Sequence, residues 1–460
     1  MFQTNLVSNL SHHSIPPGAS GRKLSAGPPL KNSFLPVNLV NWNLEVYHDT
    51  NWEKGTAPLK LEQLPQEFEL ARPVLQTIER AGYEAYFVGG SVRDTILGKA
   101  IHDVDIATSA YPDEIKHLFK RTVDTGIEHG TVMILDHGTG YETTTFRSES
   151  TYTDFRRPDH VTFVRSLAED LKRRDFTINA LAMRENGEVI DLFDGLTDLK
   201  QRRIRAVGNA QERFHEDALR MMRAVRFASQ LDFTIVPETA AAIAAHAQLL
   251  AKIAVERTQV ELLKLFTGKA PQSGLQPFLT TGLWQYCPTF SDHEAALKDV
   301  CHRLTTGTPD EATTWTLLVR AFDLSESEVG PFLKQWKTSN QMITAVQTAA
   351  RAATSLATAD LDAWQLYQCG EQLLPVANSV AVILGAPDRE PALLAAWQAL
   401  PIKTKKALAV TGRDLMQAGI QPGPQLGDLL AQLEHQVVTS QLPNDRDQLI
   451  QQALTLANLK

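Results

Sequence analysis

Residues Phe87 to Thr108 read FVGGSVRDTILGKAIHDVDIAT, and this stretch decides the fold. The apolar run Ala85 to Val88 predicts a strand that stops at Gly89 and Gly90, where the chain can turn tightly and bring its backbone close to a ligand. Ser91 is then placed to cap a helix. The first N–H groups of that helix, with the guanidinium of Arg93, form an anion site suited to a triphosphate. After Gly98 the pattern predicts a second strand, Asp103 to Ala107, whose alternate side chains share one face. Asp103 and Asp105 therefore point the same way, as hard-oxygen ligands for Mg²⁺ that leave its other positions to water and phosphate oxygens. A metal site of that kind activates an attacking hydroxyl and stabilises a leaving phosphate. A DxD triplet alone is weak, most being solvated strand edges or turns. Strand, turn, helix and strand in this order and spacing give the pair its meaning.

Composition sets the outer limits. The chain has 460 residues, 43% hydrophobic and 21% charged, enough for two to four globular domains. Three cysteines, Cys287, Cys301 and Cys369, form no CxxC pair and leave an odd count, which argues against a zinc ribbon or a disulfide framework and fits a reducing cytoplasm. No apolar run has the length of a membrane span, and the N-terminus lacks a signal-peptide pattern, so a cytoplasmic protein with no membrane partner is expected. A net charge of −8 argues against a long duplex wrapped over the whole surface. Between Arg147 and Arg226, however, 16 Lys and Arg face 14 Asp and Glu. A mildly basic centre in an acidic chain suits an RNA end or a nucleotide held at one place.

The chain divides into unlike parts. Residues 1–60 are rich in Ser, Asn, Pro and Gly without periodicity and read as a disordered extension. A mis-assigned translation start is one hypothesis for them, testable by mass spectrometry of the native N-terminus. From Leu61 to about Arg184, helices alternate with strands predicted at Ala85 to Val88, Asp103 to Ala107, Thr131 to Leu135, Tyr141 to Phe146 and Val161 to Val164. From about Asp198 onward the signals are helical, Val189 to Phe193 being the last strand candidate. The expected class is α+β, a small mixed-sheet head followed by an elongated all-α region.

Two further clusters carry chemistry. In DLKRRDFTINA, Arg173 and Arg174 precede an expected helix capped by Asp175 or Thr177, which places positive charge beside a positive dipole end. In HEDALRMMRAVRFASQL, residues 215–231, Asp217, Arg220, Arg223 and Arg226 follow at three-residue spacing as a slowly rotating stripe on one helix. Ordinary surface ion pairs would account for either cluster in isolation. Three arginines on one stripe, however, repel unless an anion lies among them. Asp217 and Arg220 also suit a base-reading role. Cytosine and adenine present an amino donor beside a ring-nitrogen acceptor, which Asp and Arg complement, whereas uracil and guanine present the reverse. A bidentate contact of this sort discriminates by on the order of 1–3 kcal/mol, so C and A are accepted with no nucleic-acid template.

These motifs resemble the polymerase beta-like nucleotidyltransferase superfamily and, within it, the bacterial class II CCA-adding enzymes (tRNA nucleotidyltransferases), from about residue 61 to 460. RRDFTINALA and the EDxxR pattern at Glu216, Asp217 and Arg220 carry much of the likeness. The resemblance implies that Gly90, Arg93, Arg174, Asp217, Arg220, Arg223 and Arg226 bind ATP or CTP, that Asp103 and Asp105 are catalytic and ligate Mg²⁺, and that Asn179 holds local geometry. It further implies a head at 61–188, a neck that binds base and RNA at 189–270, a helical body at 271–385 and a tRNA-binding tail at 386–460. The partners implied are the acceptor end and elbow of tRNA, with a homodimer as a possible assembly.

Asp124 to Gly130 resembles a hinge. Residues 146–161, with Tyr152, Asp154, Arg156, Arg157 and Pro158, resemble the flexible loop needed to change from C to A addition. Glu142 is a candidate third carboxylate. Val255 to Phe266 resembles the neck helix, although its spacing is that of any amphipathic helix. Residues 411–430 resemble the family's tail, with an inter-helix turn as the plainer reading. The implied chemistry is attack of an RNA 3′-hydroxyl on the α-phosphorus with pyrophosphate leaving, and His102, His129 and His215 have no role in it. Three readings compete. A poly(A) polymerase usually carries a basic GRRF-like segment where this chain has RTVDTGIEHGTVMI. A CC-adding enzyme would lack the loop, and a non-catalytic RNA-binding scaffold would have no use for paired aspartates.

Overall fold

The computed structural model describes residues 59–149 and 161–458. The N-terminal extension up to residue 58 and the loop positions Tyr152, Asp154, Arg156, Arg157 and Pro158 lie outside the described residues.

The head begins with helix α1 (Gln66–Arg80), strand β1 (Ala85–Val88), α2 (Gly90–Ile96) and β2 (Asp105–Thr108). Then follow α3 (Pro112–Leu118), β3 (Thr122–Gly126), β4 (Thr131–Asp136), β5 (Thr139–Thr145), β6 (Arg147–Glu149), β7 (Val161–Phe163), α4 (Leu167–Lys172), β8 (Leu181–Met183) and β9 (Val189–Asp191). Seven of these strands form one sheet in the order β3-β4-β5-β2-β1-β8-β9. Its one parallel pair is β2 with β5, so the sheet is mixed, as expected.

Strand β1 is buried at all four positions because both of its faces are covered. Phe87 meets Phe68 of α1, with ring centroids 4.7 Å apart. Tyr86 and Val88, on the other face by the period of two, pack with Phe146, Leu171, Ala180 and Val207. A strand buried on both sides reads as a continuous apolar run, which is why its bounds were legible.

Beyond the sheet come α5 (Gly195–Lys200), β10 (Arg203–Ile204), α6 (Ala210–Glu216), α7 (Leu219–Leu231), β11 (Thr234–Ile235), α8 (Pro237–His246), α9 (Val255–Phe266) and α10 (Pro271–Thr280). The short parallel pair β10 and β11 was not foreseen, two residues on each strand being too few to leave a pattern. Helix α10 packs closely on α7. A Cβ at Gly274 would come within 2.3 Å of the Val225 carbonyl, so only glycine lets the two backbones approach this far. Ser229 of α7 donates to the Leu265 carbonyl of α9 at 2.6 Å, which ties the third helix to the same group.

The remaining chain is helical, with α11 (Glu294–Arg303), α12 (Glu311–Ala321), α13 (Glu326–Gln335), α14 (Asn340–Leu356), α15 (Ala363–Ile383), α16 (Glu390–Gln398), α17 (Gly412–Gln417), α18 (Pro424–Val438) and α19 (Arg446–Asn458). Trp315, Phe332 and Trp336 are buried with Phe290 and Phe322 in an aromatic cluster that forms a second core. Within 411–430, Thr411 caps α17 in a reciprocal pair with Asp414, and α18 starts at Pro424. All three cysteines are free and buried. Among the described residues no helix is long and apolar enough to cross a membrane.

Candidate active site

The antiparallel register of β1 and β2 explains the spacing in the opening stretch. Val88 lies opposite Asp105, so the turn at Gly89 and Gly90 and the carboxylate of Asp105 are brought side by side at one end of the strand pair. Gly89 has φ of 76°, in the left-handed region that glycine enters without strain. A Cβ there would stand 3.3 Å from Arg174 Nη1 and 3.7 Å from Asp105 Oδ2, so the turn is also the meeting point of two motifs. The cap of α2 is Gly89, not Ser91. The Ser91 hydroxyl instead turns back to donate to the Val88 carbonyl at 3.3 Å.

Strand β2 begins at Asp105, and Asp103 precedes it. The expected strand starting at Asp103 is therefore too long at its N-terminal end. The alternation survives without the ladder: Asp103 is exposed, Val104 buried and Asp105 exposed. In the parallel pair, Ile106 aligns with Thr143, which puts Glu142 level with Asp105 on the adjoining strand. The protein packed around Asp105 raises its carboxyl above the usual range. The charges of Glu142 and Asp103 act in the same direction, and Arg174 opposes them. Two neighbouring carboxylates thus act on Asp105, and Arg174 offsets part of their charge. Among the described residues, no three carboxylate, imidazole or thiol groups converge into a ready-made metal cage. An open edge of carboxylates fits Mg²⁺, which takes few protein ligands and completes its shell from water and phosphate.

A cleft of about 620 Å³ opens beside Asp105. Eight arginines line it (Arg93, Arg147, Arg173, Arg174, Arg220, Arg223, Arg226 and Arg257) against Asp105, Asp175 and Asp217. Gly90 lines it as well, so every residue expected to bind nucleotide borders one space. Asp103 is not among the lining residues.

The arginines are held by acids behind them. Asp170, buried in the last turn of α4, accepts from Arg173 Nη2 at 2.7 Å and Arg174 Nη2 at 3.1 Å. No capped helix follows these two arginines. Arg173 ends α4, only a single 3₁₀ turn stands at Thr177–Asn179, and the Thr177 hydroxyl is given to Asp198 at 2.7 Å. The expected help from a helix dipole is therefore absent, and the fixed charges do the work.

Asp175 binds Arg223 at 2.6 Å through Oδ2, while its Oδ1 accepts from Asn179 Nδ2 at 3.0 Å. Asn179 Oδ1 in turn accepts from Arg93 Nη1 at 2.6 Å, so Asp175, Asn179 and Arg93 form a relay from the helical wall to the head. Burial would raise the pKa of Asp175. The charge of Arg223, hydrogen bonds from Asn179 and Arg223, and the charge of Arg220 outweigh it and hold the carboxyl at about 2.

Residues 215–231 are not one helix. Asp217 is extended between α6 and α7, and its Oδ1 accepts from the Leu219 N–H at 3.0 Å. A short acidic side chain competing for backbone N–H groups is the local cause of such a break. Arg220, Arg223 and Arg226 lie on α7 as expected, but no external anion is required to keep them together. Arg220 pairs with Glu216 at 2.7 Å, Arg223 with Asp175, and Arg226 with Glu261 of α9 at 2.7 Å. Burial draws the Arg226 pKa down to about 10, against the pull of Glu261, so it stays charged at neutral pH. Its guanidinium also lies over the Phe227 ring, 4.0 Å from the centroid.

Arg147, Phe227 and Arg257 line the cleft without having been singled out, and Arg173, named beside Arg174 in the second cluster, lines it too. Asp175, expected as a helix cap, lines the cleft instead as the partner of Arg223 and Asn179.

A mixed sheet with a carboxylate edge, facing an arginine-lined cleft, defines a nucleotidyltransferase. In keeping with this, the poly A polymerase head domain family matches residues 85–205. The family described as a probable RNA and SrmB-binding site of polymerase A matches 232–293, and tRNA nucleotidyltransferase domain 2 (putative) matches 307–453. The CCA-adding enzyme of Levilactobacillus brevis is 73% identical over 85% of this chain and 99% of that relative. That of Lactiplantibacillus plantarum is 58% identical over 87% and 99%. Among solved structures, the Bacillus stearothermophilus CCA-adding enzyme in complex with CTP superposes with a TM-score of 0.78 at 38% identity, over 86% of this chain and 99% of that one. The chain belongs to the family of CCA-adding enzymes, nucleotidyltransferases of tRNA processing.

Proposed function

We propose that this chain builds the 3′-terminal CCA of tRNA from CTP and ATP in the cytoplasm, with the cleft as its single nucleotide site. One observation carries the reading: the register that sets Asp105 beside the Gly89–Gly90 turn also opens that turn onto an arginine-lined wall ending in Asp217 and Arg220. Arg93 and Arg174, at the turn, take the triphosphate, with Gly90 letting it approach the backbone. Arg223 and Arg226 hold its remaining charge. Asp217 accepts from the amino group of cytosine or adenine and Arg220 donates to the adjacent ring nitrogen.

Asp103 and Asp105 hold Mg²⁺, with Glu142 supporting them. When bound, the metal lowers the pKa of the RNA 3′-hydroxyl and neutralises charge on the leaving oxygens. The protein's own part in the transfer is to align hydroxyl and α-phosphorus and to hold the developing pyrophosphate charge among fixed guanidinium groups, which need no reorganisation. The acceptor end of tRNA enters at residues 189–270, with 271–385 as the body and 386–460 meeting the elbow.

The test supplies Mg²⁺ and a tRNA transcript ending before CCA, with CTP alone, ATP alone and both, read at single-nucleotide resolution. Two additions with CTP, a third with ATP and then a stop are expected. Long A tracts on arbitrary RNA would mean a poly(A) polymerase, and no extension a binding protein.

A further inference from the structure

Phe227 stands among three cations. It is 6% exposed and borders the cleft. The guanidinium carbon of Arg226 lies 4.0 Å from its ring centroid, that of Arg93 5.1 Å and that of Arg223 5.5 Å, all within the range of a cation–π interaction. Arg223 precedes Phe227 by four residues on α7, so the two share a face. Arg226 is the adjacent residue, and adjacent residues do not face each other on a helix, so it reaches the ring by turning its long side chain back over it. Arg93 arrives from α2 of the head. One neutral ring thus gathers guanidinium groups from the head and from the helical wall.

Arg226 feels the other two charges. Burial first, and then the charges of Arg223 and Arg93, act to lower its pKa, with Glu261 pulling the other way. Asp175 answers Arg223, Glu261 answers Arg226, and Asp94 answers Arg93 at 2.7 Å. A further acid among the three would attract them all and cancel the field to which a triphosphate binds. An aliphatic side chain would attract none of them. The face of a phenyl ring carries the negative part of a quadrupole and no net charge, so it draws the guanidinium groups together and leaves their positive charge to the cleft. Phe176, fully buried, meets this ring in a T-shaped contact with centroids 5.9 Å apart and helps to fix its plane.

We propose that Phe227 is a positioning residue for the triphosphate, its ring holding Arg93, Arg223 and Arg226 as one anion-binding group. The proposal rests on the reading of those arginines as ligands of the triphosphate. The ring makes the same contacts before and during transfer, so it acts on capture of the nucleotide and not on the chemical step.

The experiment replaces Phe227 by phenylalanine carrying one, two or three ring fluorines, each of which withdraws electron density from the ring face and changes its shape little. Phe227→Leu and Arg226→Ala are compared beside this series. KM and kcat are measured for CTP on a tRNA transcript ending before CCA and for ATP on one lacking only the final A, with the melting temperature of each protein. KM for both nucleotides is expected to rise in even logarithmic steps with each fluorine, to about tenfold at three, with kcat nearly unchanged. Phe227→Leu, apolar but without a ring face, should have a KM at least as high as the protein with three fluorines. Should Phe227→Leu fail to fold, the fluorinated series carries the test by itself.

A KM that stays flat across the folded fluorinated proteins, where Arg226→Ala raises it, overturns the proposal alone, since the ring would then act by shape. A fall in kcat at constant KM also overturns it, because the ring would then serve the chemical step. An unchanged KM in Arg226→Ala overturns the reading of these arginines as triphosphate ligands, and this proposal with it.

Discussion

The two walls of the cleft are built on opposite plans. On the sheet side, Asp105 has Glu142 and Asp103 as like-charged neighbours, and its pKa is raised first by burial and then by the charge of Glu142, with Arg174 opposing. On the helical side, Arg220, Arg223 and Arg226 each have an acid of their own, and Arg173 and Arg174 share Asp170. The first wall gathers like charge where the proposed Mg²⁺ would bind; in the second these arginines already have their counter-charges in place. A metal that arrives with the substrate needs ligands left free for it, whereas selection of phosphate and base needs groups that do not move.

The most severe way to break this contrast is to remove charge from the first wall. Asp105→Asn should lower transfer by about a thousandfold or more while tRNA binding, read by gel shift, and melting temperature hold. Unchanged turnover would remove the metal assignment.

Breaking the second wall should act on stability as well. Asp175→Asn keeps the volume but removes the charge that Arg223 faces, at roughly 2 kcal/mol, below the usual range for a buried pair because Arg223 is partly exposed. The pH dependence has a definite sign. The folded pKa of about 2 lies below the ordinary 3.8, so the stabilisation is complete above about pH 4 and is lost as pH falls toward 2. Denaturant melts of the two proteins should therefore converge over that window, and parallel curves would deny Asp175 the role.

The turn between the walls offers a smaller perturbation. Gly89→Ala forces a side chain into positive φ beside Arg174 and should destabilise by about 1–2 kcal/mol, with a rise in KM for both nucleotides.

Glu142→Gln is the mildest probe and sharpens the assignment of the sheet wall. Transfer should fall by about tenfold, with a higher Mg²⁺ requirement, since one of the charges that act on Asp105 is gone. An unchanged Mg²⁺ titration would exclude Glu142 from the site.

How much of this could be read from sequence follows from the range of each interaction. Strand β1 and the Gly89–Gly90 turn were legible because burial on both faces and backbone sterics act within a few residues. The fault at Asp103 has the same origin, since alternation continues past the last ladder bond and pattern alone cannot show where pairing begins. The break at Asp217 was hidden because Asp, Arg, Arg and Arg at three-residue spacing mimic an unbroken helix. The partners of the arginines were harder still. Glu261 lies on another helix from Arg226, and Asp175 lies far before Arg223 in sequence, so neither local spacing nor periodicity couples them. Where the sequence predicted mutual repulsion among arginines, tertiary structure had already supplied the acids.

Those acids bear on turnover as well as on capture. Eight guanidinium groups with nothing behind them would grip pyrophosphate about as firmly as they grip a triphosphate, and binding that is equally strong before and after reaction slows departure. Asp170, Asp175, Glu216 and Glu261 draw part of the positive field of Arg173, Arg174, Arg220, Arg223 and Arg226 away from the cleft. The same carboxylates that aim the arginines also let the product leave, and a cycle that must run three times on one RNA end depends on that exit.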